Sequence, residues 1–356
     1  MASLTQVAIV SRKTIRFGIY ILILVIVART AFRMGYNVYT KFFPPPPPEP
    51  TVAFDKLPKL PFPQKEKPTN LEYILETPDG KLPSLPSQTE VYFMPPIASN
   101  IKAVDNAKQK AQNLGFDPNG KPIVENVQNV YVFTKLDTPT ILTMNIITGA
   151  FSISYDLNAN PTVISGTFTE SLSAIEHVKG YLNVENQAEE INKNIITNEL
   201  LKIENAKFVK ADSLSEAEII KVNIFRKNLG SKKDIPSVTP DMPEANIWAM
   251  VTGKLEVIAA EYHFFPLDEG RLGTYPLKTS EQAWEELKKS EGYIANLGER
   301  ENGKITIRKI YLAYYDAGQY MEFYQPVIVF EGDGGFYAFV PAIQSDLYGA
   351  EAKKDQ

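Results

Sequence analysis

The 356 residues contain no cysteine and only two histidines. The first absence removes disulfides, thiolate catalysis and cysteine zinc sites together. The second leaves no spare imidazole to complete a histidine metal site. No G-x-G-x-x-G or phosphate-loop pattern occurs, and the GDGG run at 332–335 lies between two β-type segments, where such residues make turns. Acid is missing from the first 43 residues, which hold six of the 37 bases (Arg12, Lys13, Arg16, Arg29, Arg33 and Lys41). The remainder therefore carries 31 bases against 42 acids. Such an acidic body repels phosphate backbones, so nucleic acid is not an expected partner.

What is present begins with an apolar run from Phe17 to Ala28. Its twelve residues cover about 18 Å as a helix, short of the roughly 30 Å hydrocarbon core. Three readings compete. In the preferred one the helix continues through Arg29 and Arg33, residues 15–34 cross the lipid bilayer, and Tyr36 and Tyr39 lie in the aromatic belt. In the second, Arg12, Lys13 and Arg16 open a signal peptide, although no A-x-A-like cleavage pair follows Ala28. In the third, the run is a buried helix of a soluble domain. Three bases precede the run and three follow it, so the N-terminus is placed in the cytoplasm on its shortness and on the cysteine-free body outside.

Pro44–Pro48, Pro50, Pro58, Pro61, Pro63 and Pro68 mark residues 44–69 as a proline-rich stalk. Proline fixes φ and lacks a donor, which favours a semi-rigid polyproline II spacer. Between the prolines, Val52–Phe62 has the apolar residues of a strap that packs along the body.

The body reads as α+β. A helix is expected over 100–114, with Ile101, Val104, Ala107, Ala111 and Leu114 on one face and Ser99 or Asn100 as N-cap. Strands follow at 127–135, 139–147 and 150–157, with a Thr148-Gly149 turn, and residues 71–76 and 90–94 add edge strands. Helices are expected at 171–182, with a Ser173/Glu176 capping box, and at 184–204. Strands return at 219–225, 246–252 and 255–265. A Thr279/Gln282 capping box opens a last helix carrying a Glu285–Lys289 pair, followed by strands at 304–315, 321–330 and 335–342. A helix followed by a three-strand meander thus occurs twice, implying antiparallel sheets each covered by helices. The expected organisation is a cytoplasmic tip and transmembrane anchor (1–43), the stalk (44–69), a first α+β domain (70–165), a second with a helical insertion (166–350) and a tail (351–356).

Asn145-x-x-Thr148-Gly149-x-Phe151, with small residues Ala103, Ala107 and Ala111 on the preceding helix, resembles a PepSY-type domain; Asn145 stands where aspartate is usual. The order of anchor, linker and paired units is similar to the YycH/YycI regulators of a bacterial envelope sensor kinase. This resemblance implies an extracytoplasmic binding or regulatory module at the plasma membrane, partnered by another envelope protein, rather than an enzyme.

Candidate chemistry is sparse. His177 falls opposite its helix's apolar face, where solvent is the expected neighbour. His263 shares a strand face with Glu261, which could begin a metal site but reads as a local pair. Ser99-x-x-Lys102 lacks the companion elements of penicillin-binding proteins. Aromatics crowd the last unit. A sheet core accounts for most of them, and Tyr315, Tyr320, Tyr324 and Tyr337 are the candidates for an exposed partner-binding strip. No catalytic, cofactor or metal residue is assigned. The alternatives to a binding protein are an envelope hydrolase using Asp or Glu, and a structural subunit of a surface or secretion assembly.

Overall fold

A computed structural model describes residues 4–42, 48–65, 71–122, 129–183, 191–298 and 303–350. The chain divides into two compact units, Met1–Glu49 and Pro50–Gln356. The first is helix α1, Leu4–Phe42, which runs through Arg29 and Arg33 without a break. Its apolar stretch Arg12–Thr40 is 29 residues long, or about 44 Å, enough to cross a bilayer. Side chains from Arg12 to Tyr39 are exposed, so the buried-helix reading has no core to rest on. Thr30 and Thr40 return their hydroxyls to backbone carbonyls one turn back, Ile26 and Tyr36, at 3.0 Å, so that neither hydroxyl is left bare on an apolar surface.

The second unit opens with β1 (Leu57–Pro58), β2 (Glu72–Leu75) and β3 (Gln88–Phe93). Helix α2 (Ala103–Asn113) precedes β4 (Lys121–Pro122), β5 (Val130–Thr134), β6 (Thr140–Asn145) and β7 (Phe151–Tyr155). Next come α3 (Ser171–Tyr181), β8 (Ile191–Glu204), β9 (Lys207–Lys210), β10 (Ile219–Arg226) and β11 (Ser237–Val238). Then follow β12 (Ile247–Thr252), β13 (Val257–Tyr262), β14 (Asp268–Pro276) and α4 (Ser280–Lys288). The chain closes through β15 (Tyr293–Asn296), β16 (Lys304–Tyr315), β17 (Phe323–Tyr324), β18 (Pro326–Gly332), β19 (Phe336–Pro341) and β20 (Tyr348–Ala350).

Nine strands form one antiparallel sheet in the order β4-β5-β6-β7-β13-β12-β10-β8-β9. Helices α2 and α3 cover one face, where Ala107, Ala111, Ala174 and Val178 meet Leu142, Phe151, Val222 and Ala249. A second sheet, β11-β16-β18-β19-β15 with β2 also on β16, is covered by Ala283 and Leu287 of α4. The observed architecture is thus α+β. Pairing of β7 with β13 carries the large sheet across position 165, and β3 pairs with β14 and β17.

Several local expectations are corrected. Residues 191–204 form strand β8, not a helix: their isoleucine spacing mimics helical period, but the β-branched run pairs with fully buried β10. Residues 184–190 lie outside the described set. Strand β3 is central in its three-stranded sheet, not an edge. Ser173 is no N-cap; Glu170 holds that place, so Ser173 already sits in the first turn and donates to the Glu170 carbonyl at 2.9 Å. Asn100 accepts from the Lys102 amide at 2.8 Å in a turn before α2, which leaves Ile101 fully exposed. Glu285 pairs with Lys288 at 2.6 Å, because Lys289 is the C-cap. The Thr279/Gln282 capping box forms as expected. The expected strand 321–330 breaks at Gln325, its first part joining β3 and its second β16.

The Asn145–Gly149 turn explains why asparagine serves as well as aspartate. Its Oδ1 accepts from the Ile147 amide at 2.9 Å and the Thr148 amide at 3.0 Å, and either residue supplies such an oxygen. Gly149 takes φ +70°, where a Cβ is strained. We expect Asn145→Ala to cost about 1–2 kcal/mol, read from urea unfolding, and Asn145→Asp to be nearly neutral.

Lys110 of α2 reaches this turn, donating to the Gly149 carbonyl at 2.9 Å. Its ammonium lies 4.8 Å from the Phe151 ring centre and 4.3 Å from that of Tyr262. Burial pushes the amine down from 10.5 to about 8. Between those values the unfolded chain holds the extra proton, so stability rises with pH across the window, by about 3 kcal/mol at most. Above about pH 10 the slope reverses. Burial raises the phenols of Tyr181, Tyr311, Tyr315 and Tyr324, and only the unfolded chain then loses those protons. Denaturant midpoints should therefore climb above pH 8, peak near pH 10 and fall beyond it, and Lys110→Met should remove the climb.

Residues 50–65 are bound to the body, as the strap expected for Val52–Phe62, so this part of the proline-rich segment is not a free spacer. The Val52 amide donates to Thr274 O at 3.0 Å, and the Phe54 amide to the Tyr275 hydroxyl at 2.8 Å. Leu57 is fully buried, β1 pairs in parallel with β20, and the Leu60 amide donates to the Tyr348 hydroxyl at 2.9 Å. Phe62 stacks on Tyr293 at 4.8 Å. Gly273 permits this docking: a Cβ there would lie 2.8 Å from that of Ala53.

Candidate functional site

The face of the large sheet away from α2 and α3 is read directly from strand register. Val132, Thr143, Ser152, Glu261, Trp248, Asn223 and Thr197 stand side by side across it. Because side chains alternate, these residues oppose the apolar set that meets the helices. Apart from Val132 at one end and the indole beside Glu261, the row is polar.

Residues 239–246 fold over part of this face. Asn223, fully buried, accepts from the Ala245 amide at 3.1 Å and donates to Glu199 Oε1 at 3.0 Å. Lys221 forms an ion pair with Glu244 and sets its ammonium 4.4 Å from the Trp248 ring centre. The Asn246 side chain donates to the Asp316 carbonyl at 2.9 Å, joining this segment to the chain beyond β16. Between these walls lies a cleft of about 350 Å³ that includes Asp241, Glu244, Trp248, Glu261, His263 and Gly318.

Each carboxylate here has a cationic or imidazole partner. His263 Nε2 lies 2.7 Å from Glu261 Oε2, and Lys65 Nζ lies 2.9 Å from Asp241 Oδ1. Lys65 also donates to Pro240 O at 3.3 Å and Ala295 O at 3.0 Å. Burial opposes its charge, but bonds to Asp241 and Tyr293 hold the amine above its ordinary range. Among the described residues no group of three His, Asp or Glu is placed to hold a metal ion. Below the cleft floor Arg226 is paired with Asp316 at 3.1 Å, donates to Phe265 O at 2.9 Å and stacks 4.5 Å from the Phe264 ring. The space beside that pair, about 10 Å³, has room for at most one water.

A larger hollow of about 460 Å³ lies among Phe62, Leu71, Tyr73, Leu287 and Ile294. It is mainly apolar, and its cation, Lys65, already serves three acceptors. The chemistry is concentrated in the smaller cleft.

The four candidate tyrosines do not form a strip. Tyr315 and Tyr324 are fully buried, Tyr337 is half-buried and Tyr320 is exposed. Tyr315 faces inward because Phe62 of the strap and Phe339 of β19 close over it, edge-on at 4.7 and 6.2 Å. Tyr324 stacks on Tyr314 at 5.5 Å and donates to Ser237 at 2.7 Å. His177 is half-buried and stacked on Tyr181 rather than freely solvated. Only the Glu261–His263 pair was visible from spacing. Trp248, Glu244 and Asp241 carry no motif, since loop folding and strand pairing bring them together.

No family model and no curated protein matches the chain. Among solved structures, it is similar to an uncharacterized protein from Eubacterium rectale ATCC 33656, with 12% identity over 77% of this chain and 86% of that one, TM-score 0.32. It is also similar to the Bacillus megaterium YpeB C-terminal domain, with 14% identity over 67% of this chain and 92% of that one, TM-score 0.32.

Proposed function

We propose that the protein is a noncatalytic, single-pass membrane protein whose body, outside the cytoplasm, binds and regulates another envelope component. The observation that carries this is α1, a continuous apolar helix with its spanning stretch wholly exposed, joined to a separately folded body. An exposed surface of that length is stable in lipid and a liability in water. The PepSY-like reading of residues 99–158 and the YycH/YycI-like layout belong to this proposal. So does the placing of the N-terminus in the cytoplasm. The test is fractionation of cells expressing the full chain, followed by protease treatment of intact spheroplasts. Sedimentation with membranes until detergent is added, and digestion of the body from outside, support the reading. Full-length chain in the detergent-free supernatant refutes the anchor, and a protected body refutes the orientation.

The meeting of Asp241, Glu244 and Glu261 in one cleft favours a second reading, an envelope hydrolase. Their ion pairs argue against it, because a general acid or base must be free to exchange its proton. Hydrolysis of cell-wall material by the purified chain, abolished in Glu261→Gln, would select the enzyme.

A further inference from the structure

We propose that the cleft around Trp248 binds an uncharged sugar ring, so that the body recognises a glycan. This rests on the membrane-anchored binding reading and names the class of ligand for its cleft.

Charge comes first. Lys221 neutralises Glu244, Lys65 neutralises Asp241, and Glu261 is committed to His263. An anionic ligand finds no uncommitted cation in the lining, and a cationic one meets two carboxylates already paired with lysines and a third with one oxygen held by His263. Neutral ligands are what remain. Orientation comes second. Each carboxylate is held through one oxygen by its partner, which fixes the direction in which it can accept hydrogen bonds. Hydroxyl donors suit carboxylate acceptors, and such charge-assisted bonds are the stronger kind.

Shape comes third. Trp248 lines the cleft as its flat apolar element, and the Lys221 ammonium steadies the indole. A pyranose combines a ring of hydroxyls with a C–H face that packs on an aromatic ring, matching an indole bordered by carboxylates. A volume of about 350 Å³ is at the small end of ligand sites, suited to one or two rings. An extended peptide is disfavoured because the cleft lies on a sheet face, where backbone groups are already paired. Strand addition needs an edge.

The experiment uses the full chain in nanodiscs with Trp284→Phe. The protein has two tryptophans, so Trp248 then becomes the only indole. Chitotriose, cellotriose and maltotriose are titrated while its fluorescence is followed. Saturable change with at least one sugar is expected, weakened about tenfold or more by Glu261→Gln. In Trp284-containing chain, Trp248→Ala should weaken the same sugar's binding by a similar factor in calorimetry. No saturation with any of the three overturns the proposal. So does binding that both variants leave unchanged, or displacement of the sugar by inorganic phosphate or a lysine-rich peptide. If the sugar is bound and cut, the ligand class stands and the noncatalytic reading falls. A membrane-held chain that ignores all three sugars loses the ligand class alone.

Discussion

Loss of either partner of the Arg226–Asp316 pair is expected to destabilise the body by about 3–5 kcal/mol. The two side chains are only 3% and 9% exposed, so neither survivor can turn to water. In Asp316→Ala the guanidinium keeps the Phe265 carbonyl and the Phe264 ring but loses its counter-charge. In Arg226→Ala a carboxylate is left in the same low-dielectric place. The pair also ties the end of β10 to the segment after β16, so strain spreads to Asn246, which donates to the Asp316 carbonyl. The check is a double-mutant cycle by urea denaturation. Arg226→Ala with Asp316→Ala should cost much less than the single losses combined, because no charge is stranded. Additive losses would show that the residues act separately.

Leu57→Ala should cost about 2–5 kcal/mol, the range for emptying a fully buried leucine site. Leu57 packs into the second sheet's core with Val91, Tyr275 and Ile328, and the strap bonds on both sides depend on its position. Hydrogen exchange separates two forms of loss. If the strap lifts off alone, amides 52–60 exchange quickly while β10 stays protected. If the strap is integral, exchange rises in both together, and the thermal midpoint drops. We expect the second, because Tyr275 bonds both to the strap and, through its strand, to β3.

Element type was legible wherever local pattern and tertiary demand agreed. The strand 304–315 matches β16 end to end, and the Thr279 cap starts α4 where expected. Failures have definite causes. Ile191, Ile195, Leu200 and Ile203 are spaced like a helix stripe, yet the β-branched residues around them found an antiparallel partner in β10. Aromatic enrichment in the last unit revealed a core but not which rings it enclosed, since the strap residue Phe62 lies more than 250 positions before Tyr315. The cleft was nearly invisible for the same reason. Glu261 and His263 are neighbours on one strand, whereas Lys221, Glu244 and Trp248 meet only through the pairing of β10 with β12 and the fold of the intervening loop.

Pairing of β1 with β20 sets an order of events during synthesis. Leu57 leaves the ribosome long before its partner Tyr348 is made, because 291 positions separate them. Until then the strap has no finished dock, and Leu57 must wait for the strand it pairs with, β20. Contacts of such long sequence separation form slowly. A chain stopped before residue 348 should therefore leave its strap open to protease, so that closure of the strap reports whether β20 has been made.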